Sequence, residues 1–152
     1  MKLKSEKTKE PIHKKGDRIE FTVSALDEDG SGIGAIESCQ VRVTGALPGE
    51  RIIGRIEHVG RHILTASRLK LIEPSKDRCK SPCTHIKDCE GCPLIEMEYE
   101  AQLAWKEHIV TNHIKQYKAL ENTKILPVIP SPRKLQYRNS AKLVIGGKFA
   151  DP

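Results

Sequence analysis

Four of the five cysteines in this chain, Cys79, Cys83, Cys89 and Cys92, fall within fourteen residues. A segment so short and polar builds no core of its own, so its shape depends on what the thiols bind and on what it packs against. The residues from Lys2 to Glu10 are polar and lysine-rich, with no apolar stretch long enough for a secretory signal or a membrane span. The expected address is therefore cytoplasmic, with no membrane partner. In a reducing compartment a cluster of this kind reads as a metal or iron-sulfur site before it reads as a disulfide framework. The odd count agrees, since Cys39 stands apart and is read as a small half-buried side chain.

The spacing leaves two metals open. Cys83-x5-Cys89-x2-Cys92 can supply three corners of a 4Fe-4S cluster while a fourth ligand comes from elsewhere. Adding Cys79 gives four local thiolates, the set that tetrahedral zinc requires. Only one Cys-x2-Cys pair is present, whereas zinc knuckles use two, which favours the cluster. A third reading, a redox-sensing thiol protein, needs a thiolate of depressed pKa. His85, in a polar loop, is read as solvated.

The flanking segments divide the chain. Residues 1–14 read as a basic flexible tail. Within residues 15–74, Ile19, Phe21, Val23 and Ala25 alternate with Glu20, Thr22 and Ser24, the period of a strand with one buried face. A glycine-rich turn is expected over residues 27–34, followed by strands over 40–44, 51–59 and 61–72. Short strands at this spacing, with no long helix among them, predict a small OB-like barrel. Residues 75–93 form the cysteine loop. From Leu94 to about Lys118 there is neither Pro nor Gly, and Tyr99, Leu103, Val110, Ile114 and Tyr117 recur at helical spacing. This predicts one long helix packed through a continuous apolar stripe. Pro127, Pro130 and Pro132 then exclude helix, and residues 133–145 read as a strand, the start of an α+β unit whose remainder is expected outside this chain. The fold expected is mainly β with one long helix.

Charge supplies the first functional hint. Lys and Arg number 26 against 20 Asp and Glu, a formal charge of +6. Residues 101–152 hold nine bases against three acids, so this third accounts for the whole excess. A basic surface beside a β-barrel fits a phosphate backbone. Arg133, Lys134, Arg138 and Lys142 flank Tyr137, which suits phosphate contacts around one base-stacking ring.

These motifs, in this order, resemble a known family. Gly30-Ser31-Gly32-Ile33-Gly34 followed by Gly45-Ala46-Leu47-Pro48-Gly49-Glu50 is similar to the TRAM domain, an OB-like RNA-binding barrel. Arg78-Cys79-Lys80-Ser81-Pro82-Cys83-x5-Cys89-Glu90-Gly91-Cys92 looks like the cluster loop of the uracil-5 RNA methyltransferases, of the type that modifies 23S rRNA. The resemblance implies that Cys83, Cys89 and Cys92 bind a 4Fe-4S cluster and that the barrel grips rRNA or tRNA. The family's fourth ligand lies further downstream; no cysteine follows Cys92 here, so the ligand lies past residue 152 or Cys79 takes its place. In the family, methyl transfer from S-adenosylmethionine belongs to a separate C-terminal domain with a cysteine nucleophile that activates uracil C5 through an adduct at C6. No residue here matches that machinery, so the chain is expected to hold no catalytic residue and to contact S-adenosylmethionine only through a domain outside it. The alternative is a free-standing zinc-binding nucleic-acid adapter.

Overall fold

The computed structural model describes residues 13–86, 91–137 and 140. Five strands close into one barrel: β1 (Arg18–Leu26), β2 (Gly32–Ile36), β3 (Cys39–Val43), β4 (Arg51–Val59) and β5 (Ile63–Glu73). Their order around the barrel is β1-β2-β3-β5-β4, with β3 and β5 parallel and every other neighbouring pair antiparallel. The fold is thus mainly β, a closed five-stranded barrel with one helix, consistent with an OB-like domain.

The alternation in β1 carries through to packing. Ile19, Phe21 and Val23 point inward and join Val41, Val43, Ala46, Ile52, Ile56, Leu64 and Ala66 in a single core. Cys39 packs half-buried against its margin, as expected of a small apolar side chain. Irregular register in β1 near Val23 and at three points along β4 and β5 bends the sheet enough to close on itself.

Strands β3 and β5 fall within two residues of the expected 40–44 and 61–72, and two other elements differ more from the sequence reading. The glycine-rich stretch is a turn only as far as Ser31, where Gly30 at φ +86° completes the reversal and Asp27 N–H donates to Ser31 O at 2.8 Å. Gly32 and Gly34 instead lie inside β2. The absence of side chains serves close packing there: a β-carbon on Gly34 would stand 2.5 Å from Phe21 Cδ2 and 2.7 Å from the Thr22 carbonyl oxygen.

The helix, α1 (Tyr99–Lys115), begins five residues later than expected. The backbone of residues 96–98 is engaged elsewhere: Arg78 and Met97 form an antiparallel bridge, Cys79 N–H donates to Glu96 O, and Glu98 N–H donates to Asp77 O, both at 2.8 Å. A short 3-10 turn (Lys118–Leu120) follows α1. The expected packed stripe is not formed, because no residue of α1 is buried among the described residues and Val110 and Tyr117 are exposed. Tyr99, Leu103 and Ile114 are only half-buried, so the row is shielded in part without being closed off from solvent. Residues 133–137 are irregular, not strand, with Gln136 at φ +55°; most of the remaining residues of that expected strand lie outside those described, as does nearly all of the expected basic tail. Among the described residues no helix is long and apolar enough to cross a membrane.

Candidate functional site

The site begins at a buried charge. Glu50 follows the β3–β4 turn, is wholly buried, and is surrounded by donors. Its Oε2 accepts from Leu47 N–H and Arg78 Nη2, each at 2.9 Å; its Oε1 accepts from Ser75 N–H at 3.3 Å and from Arg78 Nε. Burial alone would push this carboxyl up, but the hydrogen bonds from Arg78, Leu47 and Ser75 outweigh it and hold Glu50 below the ordinary carboxylate range. Arg78 also donates from Nη2 to Gly45 O at 2.9 Å and pairs through Nη1 with Glu96 Oε2 at 2.7 Å. Glu96 takes a further bond from Arg68 of β5 at 3.1 Å.

That network ties the cysteine segment to the barrel from both ends. Asp77–Cys79 and Glu96–Glu98 lie side by side through the bonds already given, and Met97 is buried beneath them. On the far side, a β-carbon at Gly30 would meet Leu94 Cδ2 at 3.2 Å, so the residues after Cys92 rest against the first barrel turn.

Beside this junction lies a cleft of about 490 Å³, lined by Cys79 and Cys92 together with Tyr99, Lys134 and Tyr137. Helix α1 and the proline-rich segment meet across it: Ser131 N–H donates to the Tyr99 hydroxyl at 2.7 Å, and Lys134 Nζ sits 4.5 Å from the centre of the Tyr99 ring. Gln102 fixes the floor by donating from Nε2 to Met97 O at 2.8 Å and Leu94 O at 3.1 Å.

Residues singled out separately in the sequence thus share one cleft. Cys79 and Cys92 line it together with Lys134 and Tyr137, while Cys83 stands beside Pro82, which does. Cys79, Cys83 and Cys92 are free thiols; Cys89, Arg138 and Lys142 lie outside the described residues. Arg133, Lys134 and Tyr137 are exposed, and so is His85. Burial, with the nearby Glu98 carboxylate, pushes the Cys79 thiol up, the direction opposite to that of a redox-sensing thiolate. Among the described residues no three His, Cys, Asp or Glu side chains are grouped closely enough to hold a metal ion. The chemistry of the donors nonetheless suits a thiophilic centre, soft sulfur ligands with two of them facing one cavity.

Both Glu50 and Arg78 stand in the motifs of the barrel and the cysteine loop, but nothing in the sequence pairs them. The only signal was a carboxylate placed directly before an apolar strand. Tyr99 was read as part of the helix stripe, and its role as the post on which Ser131 and Lys134 rest is visible only in three dimensions.

No family model matches the chain. It is 46% identical over 143 residues to a protein of Geobacter sulfurreducens named an uncharacterized RNA methyltransferase, covering 93% of this chain and 29% of that protein. A protein of Halalkalibacterium halodurans with the same designation is 31% identical over 140 residues, covering 92% of this chain and 30% of its own length. A crystal structure of the tRNA (uracil-54, C5)-methyltransferase of Pyrococcus abyssi, in complex with S-adenosyl-L-homocysteine, is similar with a TM-score of 0.48 and 26% identity, over 74% of this chain and 24% of that one. Over nearly its whole length the chain is thus similar to part of each of two proteins named RNA methyltransferases. It spans about 29% of the length of the curated relatives it matches.

Proposed function

We propose that the chain is the RNA-recognition portion of an S-adenosylmethionine-dependent RNA (uracil-C5) methyltransferase acting on rRNA or tRNA. The observation that carries this reading is the 46% identity over nearly the whole chain to less than a third of a protein named an RNA methyltransferase. Methyl transfer then belongs to a part of the protein outside this chain, and S-adenosylmethionine, the methyl donor, is bound there. What this chain does is hold RNA. Arg133, Lys134, Arg138 and Lys142 neutralise phosphates, and the exposed Tyr137 offers a face on which a base stacks. In this proposal residues 15–74 are the TRAM-type barrel, 75–93 the cysteine loop, and 94–152 the start of a second RNA-binding unit.

The cysteines serve this role structurally. Cys83, Cys89 and Cys92 hold a 4Fe-4S cluster, and the fourth ligand is Cys79 or a residue beyond this chain. Such a centre adds folding energy to a loop that has little core. The cleft shared by Cys79 and Cys92 favours a second reading as well, a closed four-cysteine zinc site in a nucleic-acid adapter.

RNA titration of the full 152-residue chain tests the main reading. Structured rRNA or tRNA fragments are expected to bind with log K falling steeply and linearly with log salt, as counterions are released from neutralised phosphates. Weak binding that ignores salt contradicts it.

A further inference from the structure

We infer that Glu50 and Arg78 are positioning residues for the cysteine segment, a clamp that sets the register in which Cys79 faces the cleft it shares with Cys92. A barrel needs no buried ion pair for its own sake, since taking two charges out of water is costly and an apolar pair of the same volume serves packing as well or better. What an Arg–carboxylate pair adds is direction. The guanidinium is planar and donates along fixed axes, so it accepts partners in one arrangement only.

Here all three guanidinium nitrogens are engaged. Arg78 meets Glu50 and Gly45 O on the barrel side and Glu96 on the other. Glu96 is the residue whose carbonyl accepts from Cys79 N–H, and its neighbour Met97 pairs with Arg78 in the bridge. One side chain therefore fixes both rails of a very short ladder against the barrel. Side chains alternate across such a ladder, so a slip of one residue would turn Cys79 to the opposite face and out of the cleft. With a single bridge made by two backbone bonds, the ladder has little of its own to resist that slip. The clamp supplies the resistance, whichever metal the thiols hold and whichever RNA the protein binds.

The test uses the full chain freed of metal and reduced, with N-ethylmaleimide as the probe and peptide mass spectrometry resolving each thiol. Arg78→Lys keeps the charge and loses the planar fork; Glu50→Gln keeps the shape and loses the charge. In both, the alkylation rate at Cys79 is expected to rise about tenfold or more, the consequence of losing a charge-assisted hydrogen bond that closes the ladder. Cys39, packed against the barrel core, serves as the internal standard and should keep its rate. An unchanged Cys79 rate in a folded Arg78→Lys chain overturns the inference. If that variant loses the barrel, seen as a rise at Cys39, Glu96→Gln decides, because it leaves Glu50 and Arg78 paired and removes only the charge through which Glu96 meets Arg78 and Arg68. A smaller but clear rise at Cys79 then supports the clamp, and no rise overturns it.

Discussion

Replacing Gly34 by alanine should damage this protein more than any comparable glycine substitution on an open turn. The added β-carbon would lie 2.5 Å from Phe21 Cδ2 and 2.7 Å from the Thr22 carbonyl oxygen. Phe21 is a core side chain, 5% exposed, and the carbonyl is backbone within β1. Neither neighbour can give way without opening the pairing of Val23 with Gly34. Overpacking of this kind costs roughly 1–3 kcal/mol, and a backbone obstacle places Gly34→Ala near the upper end, at about 3 kcal/mol. For a barrel of this size that is a loss of about 12–24 °C in Tm. Gly45→Ala is the control. Gly45 has φ +72° and nothing within 4 Å of the new carbon, so it carries only the left-handed strain of about 1–2 kcal/mol. Thermal unfolding of the full chain, followed by far-ultraviolet circular dichroism, measures both. Equal stability of Gly34→Ala and the parent, or a larger loss at Gly45, would refute the placement of the glycine run inside β2.

Further outcomes follow from the core, the buried charge and the thiols. Ile52→Ala, which empties a wholly buried core position, should cost about 2–5 kcal/mol in urea unfolding, whereas Ile129→Ser, at a site 90% exposed, should stay within about 0.5 kcal/mol of the parent. Glu50 has its carboxyl held below its ordinary value in the folded state, so the stability it contributes is complete above about pH 4.5, the unfolded value, and fades as pH falls below it. Comparing urea midpoints from pH 6 to pH 3 in the parent and in Glu50→Gln checks the sign, because the variant should lose the part of the acid slope due to this group. Anaerobic purification with iron, sulfide and zinc quantitation should give about four irons and four sulfides per chain for the cluster reading. One zinc with no colour would favour the adapter, and neither metal would remove both.

Much of the barrel was legible because period-2 alternation is a local property. Ile19, Phe21 and Val23 announce an inward face whatever the rest of the chain does. Strand β2 was hidden by its glycines, which look the same in sequence whether they serve a positive φ, as at Gly30, or a close approach, as at Gly34. The late start of α1 was equally invisible. Residues 94–98 have helical composition, but the ladder with Asp77–Cys79 takes 96–98, and Ile95 N–H to Cys92 O and Met97 N–H to Leu94 O turn the backbone before it. In the site, cysteine spacing announced metal chemistry, but which thiols share a cleft depends on how residues 77–98 fold back. The pairing of Glu50 with Arg78 spans 28 positions and has no periodic signature; it became visible once the barrel brought the two ends together.

The claim at the centre of this account is that the basic segment after α1 grips the phosphate backbone. Its most direct measurement is the salt slope of RNA binding in the full chain against the Arg133→Gln/Lys134→Gln variant. If each side chain neutralises one phosphate, log K against log salt should flatten by about 1.4 to 1.8 in the double variant, with single-stranded sites at the lower figure. An unaltered slope, with affinity intact, would show that RNA binds elsewhere or not at all through this surface.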